Sequence, residues 1–172
     1  MRIIAGKWRG RRIDAPPGEL IRPTADRVRE AWMSVVHGVL PDARVLDLCA
    51  GTGALGIEAL SRGAAVCDFV EQSPKAIALL QANLERVGGH PNAVVHRDEA
   101  VRFVSLLGAS AYDVAFADPP YASDTALQLA ERWLAVPFAE VFGVEHSASV
   151  VLPSMGDTRR YGSTALTFFR TH

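Results

Sequence analysis

Asp47-Leu48-Cys49-Ala50-Gly51-Thr52-Gly53-Ala54-Leu55-Gly56 is the stretch that decides the fold. The apolar residues 45–48 that lead into it read as a short buried strand, and a helix running to about Arg62 follows the glycines. Gly51 and Gly53 let the backbone turn tightly and approach a ligand that a Cβ would obstruct. The helix that starts beyond them offers unpaired N–H groups to anionic atoms. A strand passing through a glycine turn into a helix belongs to an open α/β sheet, whose ligands bind beyond the strand ends where strand order reverses.

Working outward, the alternation continues in both directions. Residues 66–71 read as a strand, and Ser73-Pro74 opens a helix with an N-cap and a first-turn proline. Ala76, Ile77, Leu80, Leu84 and Val87 form the apolar stripe of that helix, and Gly88-Gly89 ends it. A strand over 93–96, a helix over 99–107, a strand over 112–117, a helix over 125–133 and a strand over 141–145 follow. Three β pieces at 150–152, 159–161 and 165–170 close the chain. Upstream, Val28, Ala31, Trp32, Val35, Val36 and Val39 make one helix face behind Thr24 as N-cap. Residues 2–4 and 11–14 read as two short strands about a Gly-bearing turn, and Pro16, Pro17 and Gly18 break the chain after them. Such alternation predicts a parallel sheet with helices on both faces.

The 172 residues suit one core, and 49% hydrophobic against 22% charged residues excludes disorder as the default. Cys49 and Cys67 are too few for a disulfide framework and suit no metal site. His37, His90, His96, His146 and His172 lack metal-ligand spacing, so no metal is expected. No stretch approaches transmembrane length and no apolar signal core opens the chain, so the expectation is a cytoplasmic protein without a membrane partner. The net charge of −1 hides an asymmetry. Residues 1–29 hold eight Lys and Arg (Arg2, Lys7, Arg9, Arg11, Arg12, Arg22, Arg27, Arg29) against three acids, so the basic arm suggests a polyanionic partner.

Gly51, Gly53 and Gly56 also satisfy the dinucleotide pattern G-x-G-x-x-G, with Glu71 placed to meet a ribose, so a small NAD-binding protein stays open on this loop. Asp47 at the end of its strand suits a positively charged amino-acid-like ligand instead. Asp98 follows the third strand and suits an adenine amino group, although an acid directly before a helix is an ordinary N-cap. Ala117-Asp118-Pro119-Pro120-Tyr121 follows the fourth strand, which should lie beside the first, so this stiff turn faces the glycine loop across the crevice.

At these residues the chain resembles a known family. Residues 47–53 resemble the S-adenosylmethionine loop, and Asp118-Pro119-Pro120-Tyr121 resembles the [DN]-P-P-[YF] signature of amino-group methyltransferases. Arg2-Ile3-Ile4-Ala5-Gly6, Trp8-Arg9-Gly10, Arg22-Pro23-Thr24, Asp26-Arg27-Val28-Arg29-Glu30 and residues 55–64 are similar to the RsmD family, which methylates the guanine N2 of 16S rRNA (the guanine-966 type). Cys49 stands where that family has an aromatic residue.

The resemblance implies a Rossmann-like class I methyltransferase fold: a seven-stranded, mostly parallel sheet with helices on both faces and its last strand antiparallel. That domain would span 25–172, with a basic N-terminal β-hairpin extension over 1–24 against RNA. S-adenosylmethionine would lie on Asp47, Ala50, Gly51, Thr52, Gly53, Glu71 and Asp98. Asp118, Pro119, Pro120 and Tyr121 would act on the base, and Arg2, Lys7, Trp8, Arg9, Arg11, Arg12, Arg22 and Arg27 would contact RNA. The implied partner of this monomer is 16S rRNA within a small-subunit assembly intermediate. An adenine-N6 methyltransferase would use the same tetrad, and a non-catalytic RNA-binding module would keep only the arm.

Overall fold

The computed structural model describes residues 1–17 and 23–172. Gly18 and Arg22 therefore lie outside the described residues. In chain order the elements are α1 (Pro23–Val36), β1 (Arg44–Leu48), α2 (Ala54–Ser61), β2 (Val66–Glu71), α3 (Pro74–Arg86) and β3 (Ala93–Arg97). Then come α4 (Ala100–Ser105), β4 (Tyr112–Ala117), α5 (Thr125–Ala135), β5 (Ala139–Ser147), β6 (Asp157–Tyr161) and β7 (Thr164–Arg170). The strands form one seven-stranded sheet in the order β3-β2-β1-β4-β5-β7-β6. Neighbours from β3 to β5 are parallel, and β7 is antiparallel to both β5 and β6. This is the Rossmann-like class I methyltransferase arrangement, and β4 pairs with β1 as the sequence required.

Side chains alternate across a strand, so a sheet covered on both faces buries two layers. Val45, Phe69, Val114, Phe116 and Phe168 face Trp32, Ile57 and Leu80 from α1, α2 and α3. Leu46, Val70, Ala115, Phe142 and Phe169 face Val104, Leu129 and Trp133 from α4 and α5. Trp32 meets Phe116 and Phe168 edge-on at 5.3 and 5.5 Å between ring centroids. Ser73 caps α3 by accepting the Ala76 N–H. Three details depart from the sequence reading. Helix α1 begins at Pro23, which puts Thr24 inside its first turn. Glu99, not Asp98, caps α4, accepting the N–H groups of Val101 and Arg102. Residues 150–152 form no strand, because a turn bonded from Val150 N–H to Ser147 O leads into Pro153, which has no N–H to give.

The N-terminal segment also departs from expectation. In place of two full strands there is a short antiparallel pairing about the Arg2–Arg12 bridge, in which Ile3 N–H donates to Arg11 O, Ile13 N–H to Met1 O and Gly10 N–H to Ile3 O. The ladder stops because the core claims the next donors. Glu58, wholly buried on α2, accepts the N–H groups of Ile4 and Ala5 and the Nε of Arg62. Ser61 accepts from Lys7 N through its carbonyl and from Trp8 N through its hydroxyl. Buried Asn83 of α3 accepts from Asp14 N and donates to Asp14 O. The approach is so close that a Cβ on Gly6, whose φ is +87°, would stand 1.9 Å from Ser61 O. Ile3, Trp8 and Ile13 thereby join the main core.

Removing Glu58 strands two backbone donors and leaves the Arg62 guanidinium without its carboxylate. Glu58→Ala should cost about 3 kcal/mol in denaturant unfolding, at the lower end for breaking a buried pair, and should open the amides of Ile4 and Ala5 to hydrogen exchange. A loss under about 0.5 kcal/mol, the size of an ordinary surface substitution, would mean that the segment is only loosely attached.

Candidate active site

Because β1 to β5 run parallel, their C-terminal ends share one edge, and each strand brings an acid there. Asp47 and Glu145 lie within β1 and β5, Glu71 ends β2, and Asp98 and Asp118 directly follow β3 and β4. The chain leaves β1 through three left-handed residues: Cys49 at φ 55°, Gly51 at 55° and Gly53 at 81°. Gly53 is doubly constrained, since a Cβ there would lie 2.2 Å from Leu80 Cδ1. Thr52 O accepts from Asn83 Nδ2, which ties this loop to α3 and to the N-terminal segment.

Two clefts open on the loop. The larger, about 1020 Å³, is bordered by Asp47, Ala50, Thr52, Glu145 and Arg29, and also by Met1, Ala15, Pro16 and Pro17 of the N-terminal segment. The smaller, about 460 Å³, is bordered by Glu71, Asp98, Pro119 and Pro120. Cys49, Gly51, Asp118 and Tyr121 border both. The structure therefore brings together every tetrad residue and every loop carboxylate singled out in the sequence. Gly53 stands behind the clefts as the hinge of the turn.

Each carboxylate has a distinct setting. Glu71 accepts Gly51 N–H through Oε2 and the N–H groups of Gln72 and Ser73 through Oε1, which fixes its orientation. Asp98 Oδ1 accepts from Glu99 N and Arg102 Nη1. Asp47 is 2% exposed and accepts Gly56 N–H at 2.9 Å. Burial pushes its carboxyl up to about 8; the Gly56 bond opposes that shift and the Glu71 charge adds to it. Burial, with the nearby charges of Glu71, Asp47, Asp118 and Glu99, likewise pushes the Cys49 thiol up to about 12, so it is no thiolate nucleophile.

Tyr121 is 44% exposed, and its hydroxyl is held by Glu145 Oε1 at 2.8 Å and Thr164 Oγ1 at 2.6 Å. Glu145 also hydrogen-bonds Asp118 and faces the Trp32 indole N–H; burial raises its carboxyl above the usual range. Glu145, Thr164 and Asn83 escaped the sequence reading, although Glu145 obeys the same rule as Asp47 and Glu71, an acid at a strand end beside the loop.

Arg2, Lys7, Arg9, Arg11, Arg12 and Arg27 are exposed. Arg27 lies over the Tyr161 ring, Arg2 bonds Gly10 O, and Arg11 bonds Val87 O. Trp8 corrects the expectation of an RNA-facing ring. At 5% exposure it is spent on the core, because its neighbours' backbone is drawn down onto α2. Among the described residues no cluster of His, Cys, Asp or Glu could hold a metal ion, and no helix is long and apolar enough to cross a membrane.

A family described as Conserved hypothetical protein 95 matches residues 1–170. The Bacillus subtilis protein YlbH, named provisionally as an rRNA methyltransferase, is 34% identical over 99% of this chain and 98% of its own. The Ribosomal RNA small subunit methyltransferase D of Escherichia coli K12 is 40% identical over 70% of this chain and 60% of its own. The solved structure of Escherichia coli yhhF, described with the same reserve as a methyltransferase, covers 98% of this chain and is itself covered to 96%. Its TM-score is 0.82 at 32% identity.

Asp47 makes a prediction about pH. The native carboxyl keeps its proton to about pH 8, whereas the unfolded chain releases it near 3.8. Between those values the folded state binds the extra proton, so Asp47 makes stability fall as pH rises. Asp47→Asn removes that slope while keeping an acceptor for Gly56. Melting curves of the ligand-free protein at about pH 5 and about pH 8 should show a smaller loss for the variant than for the wild type. Equal losses would mean that Asp47 is already ionised in the native state.

Proposed function

The chain belongs to the family described as Conserved hypothetical protein 95, the RsmD family, and from that premise we propose that it methylates small-subunit ribosomal RNA. The methyl group of S-adenosylmethionine goes to the exocyclic N2 amine of a guanine in 16S rRNA, of the guanine-966 type. The observation that carries this reading is the meeting of two clefts at one place: Asp118 and Tyr121 border both, together with the glycine loop. The donor would run from Asp47 in the larger cleft to Glu71 and Asp98 in the smaller one, and so pass Asp118 and Tyr121, where the base is to be held.

The carboxylates fit the donor. Asp47, buried beside Glu71 and resisting ionisation, gains from the ammonium of a methionine-like group. Ala50, Gly51 and Thr52 lie along that group, with Gly53 shaping the turn. Glu71, fixed by three N–H groups, keeps lone pairs for two ribose hydroxyls, and Asp98 takes the adenine amine. S-adenosylmethionine supplies a methyl group on a positively charged sulfur, which leaves as a neutral thioether.

The chain's own residues prepare the nucleophile. The N2 lone pair of guanine is delocalised into the ring. Asp118 and the Pro119 carbonyl each accept one N2–H, which favours a pyramidal nitrogen with its lone pair aimed out of the base plane, and the proton that the methylated nitrogen sheds passes to the Asp118 carboxylate and on to solvent. Pro120 keeps the turn stiff, and orientation of this kind is worth roughly 7–11 kcal/mol of barrier. Tyr121 offers its ring to the extruded base. Residues 25–172 carry out the chemistry. Residues 1–24, with Arg27 beside them, meet the RNA through exposed Arg2, Lys7, Arg9, Arg11 and Arg12, and Arg22 belongs to the same group. The substrate is an assembly intermediate of the small subunit, met in the cytoplasm by a monomer.

Incubation of the purified protein with ribosomal RNA and labelled S-adenosylmethionine, followed by nucleoside mapping, should yield N2-methylguanosine; N6-methyladenosine would establish the adenine reading instead. Asp118→Ala should lower kcat by roughly 10²–10³ while sparing cofactor affinity, the scale of removing one positioned polar group. A stable Asp118→Ala enzyme with near-normal turnover would remove Asp118 from the chemistry. Separately, Arg9→Ala with Arg12→Ala should flatten the slope of log K against log salt for single-stranded RNA by about 0.7 per lost contact. An identical slope would make these side chains bystanders.

A further inference from the structure

Glu145 is the one acid of the strand-end row that the reading above leaves without a task. It lies on β5, borders the larger cleft with Asp118 and Tyr121, and is hydrogen-bonded to Asp118. Its Oε1 accepts the Tyr121 hydroxyl at 2.8 Å. Behind it stands the Trp32 indole N–H, which is buried without a well-aligned hydrogen-bond partner and faces this carboxyl. Anchoring Tyr121 does not by itself account for an acid here, since Thr164 already holds the same hydroxyl at 2.6 Å. Placing a second carboxyl against Asp118 in a half-buried site costs stability, as burial already disfavours the charge on Glu145. Arrangements that cost stability locally persist where a ligand makes use of them.

Two adjacent carboxyls require N–H donors, and the purine bases differ in how many they bring. In guanine the N1–H and the N2 amine sit on the same carbon, so that edge presents donors side by side. In adenine the atoms flanking the N6 amine, N1 and N7, are bare acceptors. We propose that Glu145 selects guanine: its carboxylate accepts the N1–H of the base whose N2 amine Asp118 holds, and it repels a purine that turns a lone pair to that position. Glu145 is thus a specificity-determining residue of the site, an assignment that rests on the methyltransferase reading and supplies the base identity that the Asp118-Pro119-Pro120-Tyr121 turn does not. Without RNA, one proton shared by the two carboxyls lets them lie together. The row of guanine N–H groups serves the same end in the complex, and that shared proton passes to solvent. A site built around a substrate N–H rejects the analogue that lacks it, because its own acceptor is then left facing a lone pair.

The test uses 2-aminopurine, which keeps the purine ring and the C2 amine of guanine but has a bare N1 and no O6. The probe is 16S rRNA carrying guanine or, by splinted ligation, 2-aminopurine at the nucleotide found by mapping, presented free and in reconstituted small subunits. Wild-type protein should prefer guanine by roughly 10–100-fold in kcat/KM, the range of one good base-edge contact. Glu145→Gln, whose amide can donate to a bare N1, should shrink that preference by about tenfold or more. The intrinsic difference in amine reactivity cancels in the ratio of the two preferences. Cofactor affinity should stay unchanged, and a melting curve verifies the fold. An undiminished preference in folded Glu145→Gln overturns the assignment. If that variant does not fold, Glu145→Ala is read in its place on the same ratio: a preference reduced about tenfold supports the assignment and an undiminished one overturns it. Absence of N2-methylguanosine from wild-type reactions would instead overturn the function proposed above, so the two failures are told apart.

Discussion

The chain leaves β1 through Cys49, Gly51 and Gly53, all with positive φ, and turns at once into α2. Leu80 of α3 fills the space where a side chain on Gly53 would go, so the turn, the helix beyond it and the helix beside it are set against one another in van der Waals contact. Asp47 and Gly56 close the turn from either side with one hydrogen bond. With β1 fixed between β2 and β4, the other parallel strands can only end along the same edge. The crevice is the consequence of that edge.

What collects there is mainly acidic, with Arg29 and Lys75 on the border of the larger cleft. Asp47, Glu71, Asp98, Asp118 and Glu145 come from five different strands and are brought within two adjoining clefts. Burial disfavours ionisation of at least Asp47 and Glu145. Such a floor suits ammonium, hydroxyl and amine hydrogens and is hostile to phosphate. Among the exposed basic side chains, Arg27 sits over Tyr161, which borders the larger cleft, whereas Lys7 and Arg11 lie by the C-terminal ends of α2 and α3, away from the strand ends that carry the acids.

Much of this was legible in the residues, and the exceptions have a common cause. The strands β2 and β4 and the start of α3 were readable because a period of two, a period of 3.6 and a capped proline are local signals. The tetrad and the loop carboxylates were readable because they cluster at punctuation between elements. The N-terminal hairpin is shorter than the sequence suggests because Glu58, Ser61 and Asn83, far away in sequence, capture neighbouring backbone groups. Trp8 was misread for the same reason. Glu145 went unnoticed because, as one of two acids in the long strand Ala139–Ser147, it looks like an ordinary exposed position until Asp118, Tyr121 and Thr164 are brought against it.

The N-terminal segment has two sides with separate duties. Ile3, Trp8 and Ile13 point inward, Gly6 is pressed against Ser61, and these positions tolerate almost nothing else. Arg2, Arg9 and Arg12 are exposed, as is Lys7, whose ammonium lies 4.5 Å over the buried Trp8 ring. The inner residues work as a socket and the outer ones as an exchangeable tool face. Variation at the exposed arginines therefore leaves unchanged the socket and the cofactor turn to which Asn83 ties it.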